Sequence, residues 1–145
     1  MTSQEEKEPY AHTYYQRHLF KRTDRKYAMD NLEVAIRLIT RKYTDIIFVM
    51  TGVSGFIPLH CCLLYNQKFC YVRKEHTPHT DIVVESVDHI TNWFFLDDQI
   101  ETGTTLKRVK HEISKVYPNS IYRGSYLYLN SEFINVDGTT VSNVP

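Results

Sequence analysis

Apolar positions along the chain change period several times, and each change predicts an element. Asp30 followed by Glu33 has capping-box spacing, and Leu32, Ala35, Ile36, Ile39 and Tyr43 then recur at helical spacing, so a helix is expected to open at Asp30. "DIIFVMTG" is a continuous apolar run, which predicts a buried strand. "SGFIPLHCCLLYNQ" predicts a helix apolar nearly all round, with Ser54 near its cap and Pro58 in the first turn, where no hydrogen bond is lost. "KFCYVRK" predicts a second strand, "EHTPHT" a loop and "DIVVESV" a third strand. Residues 93 to 98 predict a fourth. Leu106, Val109, Ile113 and Val116 then share one helical stripe, with Lys107, Arg108, Lys110 and Lys115 off it. "PNS" ends that helix, and "IYRGSYLYLN" is expected to be the last strand, with residues 130–145 as a tail. Strands alternating with helices predict an α/β fold with a largely parallel sheet, whose ligand lies beyond the carboxyl ends of the strands.

A chain of 145 residues is the size of one domain, and neither a repeat nor a low-complexity tract divides it. Seventeen Lys plus Arg balance seventeen Asp plus Glu, so no global field draws the protein to nucleic acid or an anionic membrane. A local exception is residues 12–26, where five basic side chains sit among aromatics; RNA binding there is a minor option without a recognisable motif. The apolar stretches are too short for a membrane span, and the polar "MTSQEEKEPY" is unlike a secretion signal, so a cytoplasmic protein is expected. Three cysteines, two of them the adjacent Cys61 and Cys62, fit neither a disulfide framework nor a zinc spacing and are expected as reduced core residues.

Chemistry concentrates in three loops at the expected carboxyl edge. "FFLDDQIETGTT" delivers Asp97 and Asp98 at the end of a buried strand, then opens a helix with Thr102, Gly103, Thr104 and Thr105. The first free N–H groups of that helix favour an anion, which the two carboxylates would repel unless something lay between them. A sugar phosphate with a divalent cation meets both demands: hydroxyls and metal against the acids, phosphate against the turn. "TGVSG", residues Thr51, Gly52, Val53, Ser54 and Gly55, suits a second phosphate site, because its glycines let backbone approach a ligand. No G-K-[ST] or G-x-G pattern occurs, which demotes ATP and NAD. "RKEHTPHT" brings Arg73, Lys74, His76 and His79 to a strand end, where cations would neutralise charge on a leaving group.

The strand followed by Asp97-Asp98-Gln99-Ile100-Glu101-Thr102-Gly103-Thr104-Thr105 resembles the 5-phosphoribosyl-1-pyrophosphate motif of type I phosphoribosyltransferases, with Gln99 at a usually apolar position. The order of the loops is similar too, over roughly residues 45 to 129. The resemblance implies a type I phosphoribosyltransferase-like core, a mostly parallel sheet flanked by helices, with a minimal hood over the base. Residues 1–28 are an N-terminal arm or that hood, in which Tyr14, Tyr15 or Phe20 could stack a base and Arg17 meet its carboxylate or carbonyl. It further implies that Asp97 and Asp98 hold the ribose hydroxyls, that Thr102 to Thr105 wrap the 5′-phosphate, and that Thr51 to Gly55 take pyrophosphate with magnesium. Mg2+ suits the residues as well, since it takes oxygen ligands from carboxylates, phosphates and water, here Asp97 and Asp98 directly or through water. Arg73, Lys74 and His79 match the mobile catalytic loop of orotate phosphoribosyltransferases, while Thr77 stands where a lysine is expected. Glu101 falls where 6-oxopurine enzymes place an aspartate beside N7 of the base, and it tips the expected acceptor weakly toward a purine.

The expected function is therefore transfer of phosphoribose from phosphoribosyl pyrophosphate to a nucleobase by a homodimer. The alternative is a regulatory protein of the same fold that binds phosphoribosyl pyrophosphate or a nucleotide without catalysis.

Overall fold

A computed structural model of the protein describes residues 21–74, 82–100 and 102–145. The central strands β1 (Ile47–Thr51), β2 (Phe69–Val72), β4 (Asn92–Asp97) and β5 (Ile121–Leu127) run parallel in the order β2-β1-β4-β5. They are extended at one edge by antiparallel β3 (Val84–Ser86) and at the other by β6 (Glu132–Ile134) and β7 (Thr140–Val141). All five residues of β1 and the last five of β4 are buried, as expected for strands covered on both faces.

Among the described residues, three α-helices supply that cover. Helix α1 (Arg22–Lys42) and α2 (Phe56–Leu64) pack on one face, where Leu32, Ile36, Ile39, Ile57 and Cys61 meet Phe48, Met50, Phe94 and Leu96. On the other face, Val109 and Ile113 of α3 (Thr104–Val116) meet Ile47, Val49, Val72 and Phe95. Val116, expected on the same stripe, is 53% exposed, because the helix is ending as it clears the sheet. Cys61, Cys62 and Cys70 are free and buried, and burial pushes their thiols up to about 12, which leaves them inert at neutral pH.

Two sequence expectations are corrected. Helix α1 does not open at Asp30 but two turns earlier, so Asp30 and Glu33 are interior residues. Asp30 accepts from Lys26 Nζ at 2.8 Å and Glu33 from Arg37 at 3.4 Å, both i,i+4 pairs. The core stripe also reaches back to Ala28, whose small side chain in a charged stretch gave the pattern little weight. The second correction is at the carboxyl end: β5 is not the last strand. Its chain turns back as β6, and Asn135 to Gly138 turn it again into β7, with Gly138 N–H donating to Asn135 O at 2.9 Å. Phe133 and Ile134 are buried by this hairpin.

Candidate functional site

Strand order places the site. From β1 the chain crosses to β2 on one side, and β4 then lies on the other side of β1, so the loops leaving β1 and β4 diverge and open a crevice at the carboxyl edge. A cleft of about 540 Å³ lies there, a volume suited to a small ligand. It is lined by Thr51, Gly52, Val53 and Ser54 from the first loop, by Lys74 beyond β2, and by Asp97, Asp98, Thr102, Gly103 and Thr105 after β4. Gln99, Ile100 and Leu106 complete the wall.

Hydrogen bonds fix the first loop from three sides. Gly52 has φ 67°, a left-handed backbone that a side chain would strain, and a Cβ there would begin 3.6 Å from Lys74 Cε. Its carbonyl accepts from the Tyr71 hydroxyl at 2.7 Å and from Gly55 N–H at 3.1 Å. The Ser54 carbonyl accepts from the Tyr128 hydroxyl at 2.7 Å. The Ser54 hydroxyl makes no helix cap; it donates to Asp97 Oδ1 at 2.8 Å. Gly55 is buried beneath the loop against Met50 and Tyr71, and does not line the cleft.

The acids differ in environment. Asp97 is 6% exposed, whereas Asp98 is only partly buried and accepts from Gln99 N–H at 2.7 Å. Burial first, and the neighbouring charge of Asp98 next, push the Asp97 carboxyl up to about 7, against the opposing effect of the Ser54 hydroxyl. Two adjacent carboxylates, one of them buried, are a donor set for a hard divalent cation or for sugar hydroxyls. Among the described residues no cluster of three or more His, Cys, Asp or Glu side chains could hold a metal ion. Magnesium still fits the pair, because it is commonly held by one or two carboxylates together with substrate phosphate oxygens and water.

Beyond the acids, Gly103 caps α3 with φ 78°, and Thr102 Oγ1 accepts from Thr104 N–H at 3.4 Å while donating to Thr104 Oγ1 at 2.9 Å. The turn thus presents a helix N-terminus ringed by hydroxyls, chemistry that suits a phosphate. Thr104 is not among the residues that line the cleft.

Arg73 is not brought into the cleft. Its guanidinium lies 3.3 Å from Glu85 of β3, and its Nε is buried with no hydrogen-bond partner among the described residues. His79, Thr77 and Glu101 lie outside the described residues, as do Tyr14, Tyr15, Arg17 and Phe20. Sequence reading missed Arg108, counted there as an off-stripe cation. It donates to the Arg73 carbonyl and to Thr51 Oγ1, both at 2.9 Å, and Thr51 in turn donates to the Val72 carbonyl. One guanidinium therefore fastens α3 to the ends of β1 and β2. An arginine one turn into a helix whose amino end faces a site was the available signal.

No family model matches the sequence, and no curated protein matches it. Among solved structures the chain is similar to orotate phosphoribosyltransferase from Aeropyrum pernix, with a TM-score of 0.59 and 16% identity over 77% of this chain and 62% of that one. It is also similar to orotate phosphoribosyltransferase from Francisella tularensis, with a TM-score of 0.51 and 17% identity over 69% of this chain and 50% of that one. The chain spans less than two thirds of the length of either enzyme, and the likeness is one of fold.

Proposed function

We propose that this phosphoribosyltransferase-like fold binds phosphoribosyl pyrophosphate in the cleft between the β1 and β4 loops and transfers its ribose 5-phosphate to a nucleobase, releasing pyrophosphate. The observation that carries the proposal is the meeting of Asp97, Asp98, the Thr102–Thr105 turn, the Gly52–Ser54 loop and Lys74 around one cavity. Asp97 and Asp98 would hold the ribose hydroxyls, and the threonine turn the 5′-phosphate. Gly52, Val53 and Ser54 would hold the pyrophosphate, with Lys74 meeting the charge that builds on it as C1′ detaches. Bound magnesium would neutralise diphosphate charge beside Asp97 and Asp98. A ribose that passes through a dissociated, cation-like state leaves little covalent work to the protein, so orientation and charge stabilisation supply the rate.

For the acceptor, Glu101 favours a 6-oxopurine, since a carboxylate beside the base can share its proton as the ring nitrogen attacks. Orotate is the second choice, favoured by Arg73-Lys74-Glu75 and by the activity named for both fold neighbours. Thr77, in place of the expected lysine, favours the non-catalytic reading, a sensor that binds phosphoribosyl pyrophosphate without turning it over.

The test is incubation with phosphoribosyl pyrophosphate, magnesium and hypoxanthine, guanine, xanthine or orotate, with pyrophosphate measured and any nucleotide weighed by mass spectrometry. Release with one base identifies enzyme and acceptor. Binding without release identifies a sensor, and absence of both sinks the assignment.

A further inference from the structure

Tyr71 and Tyr128 come from opposite sides of the sheet centre, one in β2 and one just past β5, yet both hydroxyls end on carbonyls of the same four-residue loop. In a trans peptide the carbonyl of one residue and the N–H of the next point in opposite directions. No peptide in the described chain is cis. Tyr71, with Gly55 N–H, draws the Gly52 carbonyl inward, which turns the Val53 N–H outward, and Val53 lines the cleft at 39% exposed. The Val53 carbonyl accepts from Phe56 N–H along the helix direction, which turns the Ser54 N–H the other way. Neither the Val53 nor the Ser54 N–H has a backbone acceptor among the described residues. The Tyr128 hydroxyl then holds the Ser54 carbonyl, while the Ser54 hydroxyl reaches Asp97.

We propose that Tyr71 and Tyr128 are positioning residues that aim the Val53 and Ser54 N–H groups at a diphosphate, an inference that rests on the ribosyl diphosphate reading above. Both hydroxyls must donate for this arrangement, and burial raises both phenols above their ordinary range, so they keep their protons at neutral pH. Phenylalanine at either position would keep the ring and release the carbonyl. A Gly52 carbonyl held by Gly55 N–H alone would then turn more readily toward the cleft and set an acceptor against the anion. The 5′-phosphate, on the threonine turn of another strand, would not feel the change. Tyr71 therefore tunes one end of the substrate and leaves the other alone, whereas Tyr128 also reaches Asp97 through Ser54.

The experiment compares Tyr71→Phe with wild type by calorimetry, using magnesium pyrophosphate and ribose 5-phosphate as separate probes. Tyr71→Phe should weaken pyrophosphate about five- to tenfold, the effect of one hydrogen bond, and leave ribose 5-phosphate unchanged. Tyr128→Phe should act in the same sense. Tyr126→Phe, which loses a hydroxyl bonded to Ser131 and Asn31, is the control and should change neither affinity. In the wild-type protein, the Val53 and Ser54 amide protons should move downfield in NMR spectra when pyrophosphate is added, a readout that needs no variant to fold. Unchanged pyrophosphate affinity in Tyr71→Phe, equal loss of both probes, or unmoved Val53 and Ser54 amides would overturn the positioning role while leaving the site. A wild type that binds neither probe would overturn the site itself.

Discussion

The Ser54 hydroxyl donates to Asp97 Oδ1 at 2.8 Å, which fastens the loop after β1 to the acid end of β4 across the crevice that both strands open. Ser54 stabilises the charged carboxylate that burial and Asp98 disfavour. Ser54→Ala should therefore raise the Asp97 pKa further above that of the wild type, as read by carboxyl-carbon NMR titration of both proteins. The sign for stability follows from the same shift. Between the ordinary 3.8 and about 7 the folded protein keeps a proton that the unfolded chain gives up, so this group's contribution falls as pH rises through that window. Asp97→Asn should remove the fall and leave the variant more stable than wild type at pH 8, by on the order of 1–3 kcal/mol in denaturant unfolding.

Asp98→Asn should weaken phosphoribosyl pyrophosphate binding in the presence of magnesium by about tenfold or more, the loss expected for a charge-assisted hydrogen bond. Its thermal midpoint should stay near that of wild type, because Asp98 is only partly buried. Calorimetry beside a melting curve separates the two effects, and full affinity in the variant would remove Asp98 from the site.

Arg108→Met keeps the apolar stem and deletes both guanidinium bonds, to the Arg73 carbonyl and to Thr51 Oγ1. The expected loss is about 2–3 kcal/mol of unfolding free energy in denaturant. Turnover should fall further than stability alone explains, since the backbone that carries Lys74 loses its tie. Arg108→Lys should rescue little, because one ammonium cannot span two acceptors set apart for a guanidinium.

Glu101→Gln should slow nucleotide formation from a purine strongly while leaving phosphoribosyl pyrophosphate affinity nearly intact, for the side chain would touch the base and not the sugar phosphate. Turnover equal to wild type, or activity with orotate alone, would make Glu101 a solvated loop residue.

The proposed homodimer would let the "RKEHTPHT" loop of one chain complete its neighbour's site, in competition with the arrangement that brings Lys74 to the cleft of its own chain. Mixing Asp98→Asn with Lys74→Ala chains should then restore part of the activity that each lacks alone. A strictly monomeric protein by light scattering at assay concentration would sink this expectation.

The parts of the candidate cleft legible in the sequence are those in which one segment contains the whole arrangement. Phe94 to Asp98 followed by Thr102 to Thr105 is such a segment, with burial, charge and helix start written in order. Parallel core strands were legible for a similar reason, as Ile47 to Thr51 is apolar on both faces. Tyr71 and Tyr128 were not legible, because an aromatic in a strand looks the same whether its hydroxyl meets water or a carbonyl 19 or 74 residues away. Arg108 was hidden likewise, its acceptors lying 35 and 57 residues back. Phe133 and Ile134 sat in a strand of three residues, too short for alternation to register, although Asp137-Gly138 marked the turn after it.

The adjacency of β1 and β4, strands separated in the chain by α2, β2 and β3, bears on how the protein comes into being. A nascent chain that has emerged only as far as β3 already carries the Gly52–Gly55 loop, but Ser54 has no acid to meet and Tyr128 has not been made. Pairing of Phe48 with Phe94 closes a contact of long sequence separation, a step that is slow in folding and that must precede any ligand grip. A ligand present during synthesis would thus find no finished cleft to hold and could favour only the completed sheet, whereas a chain cut between β3 and β4 would keep the Gly52–Gly55 loop and lose the cleft.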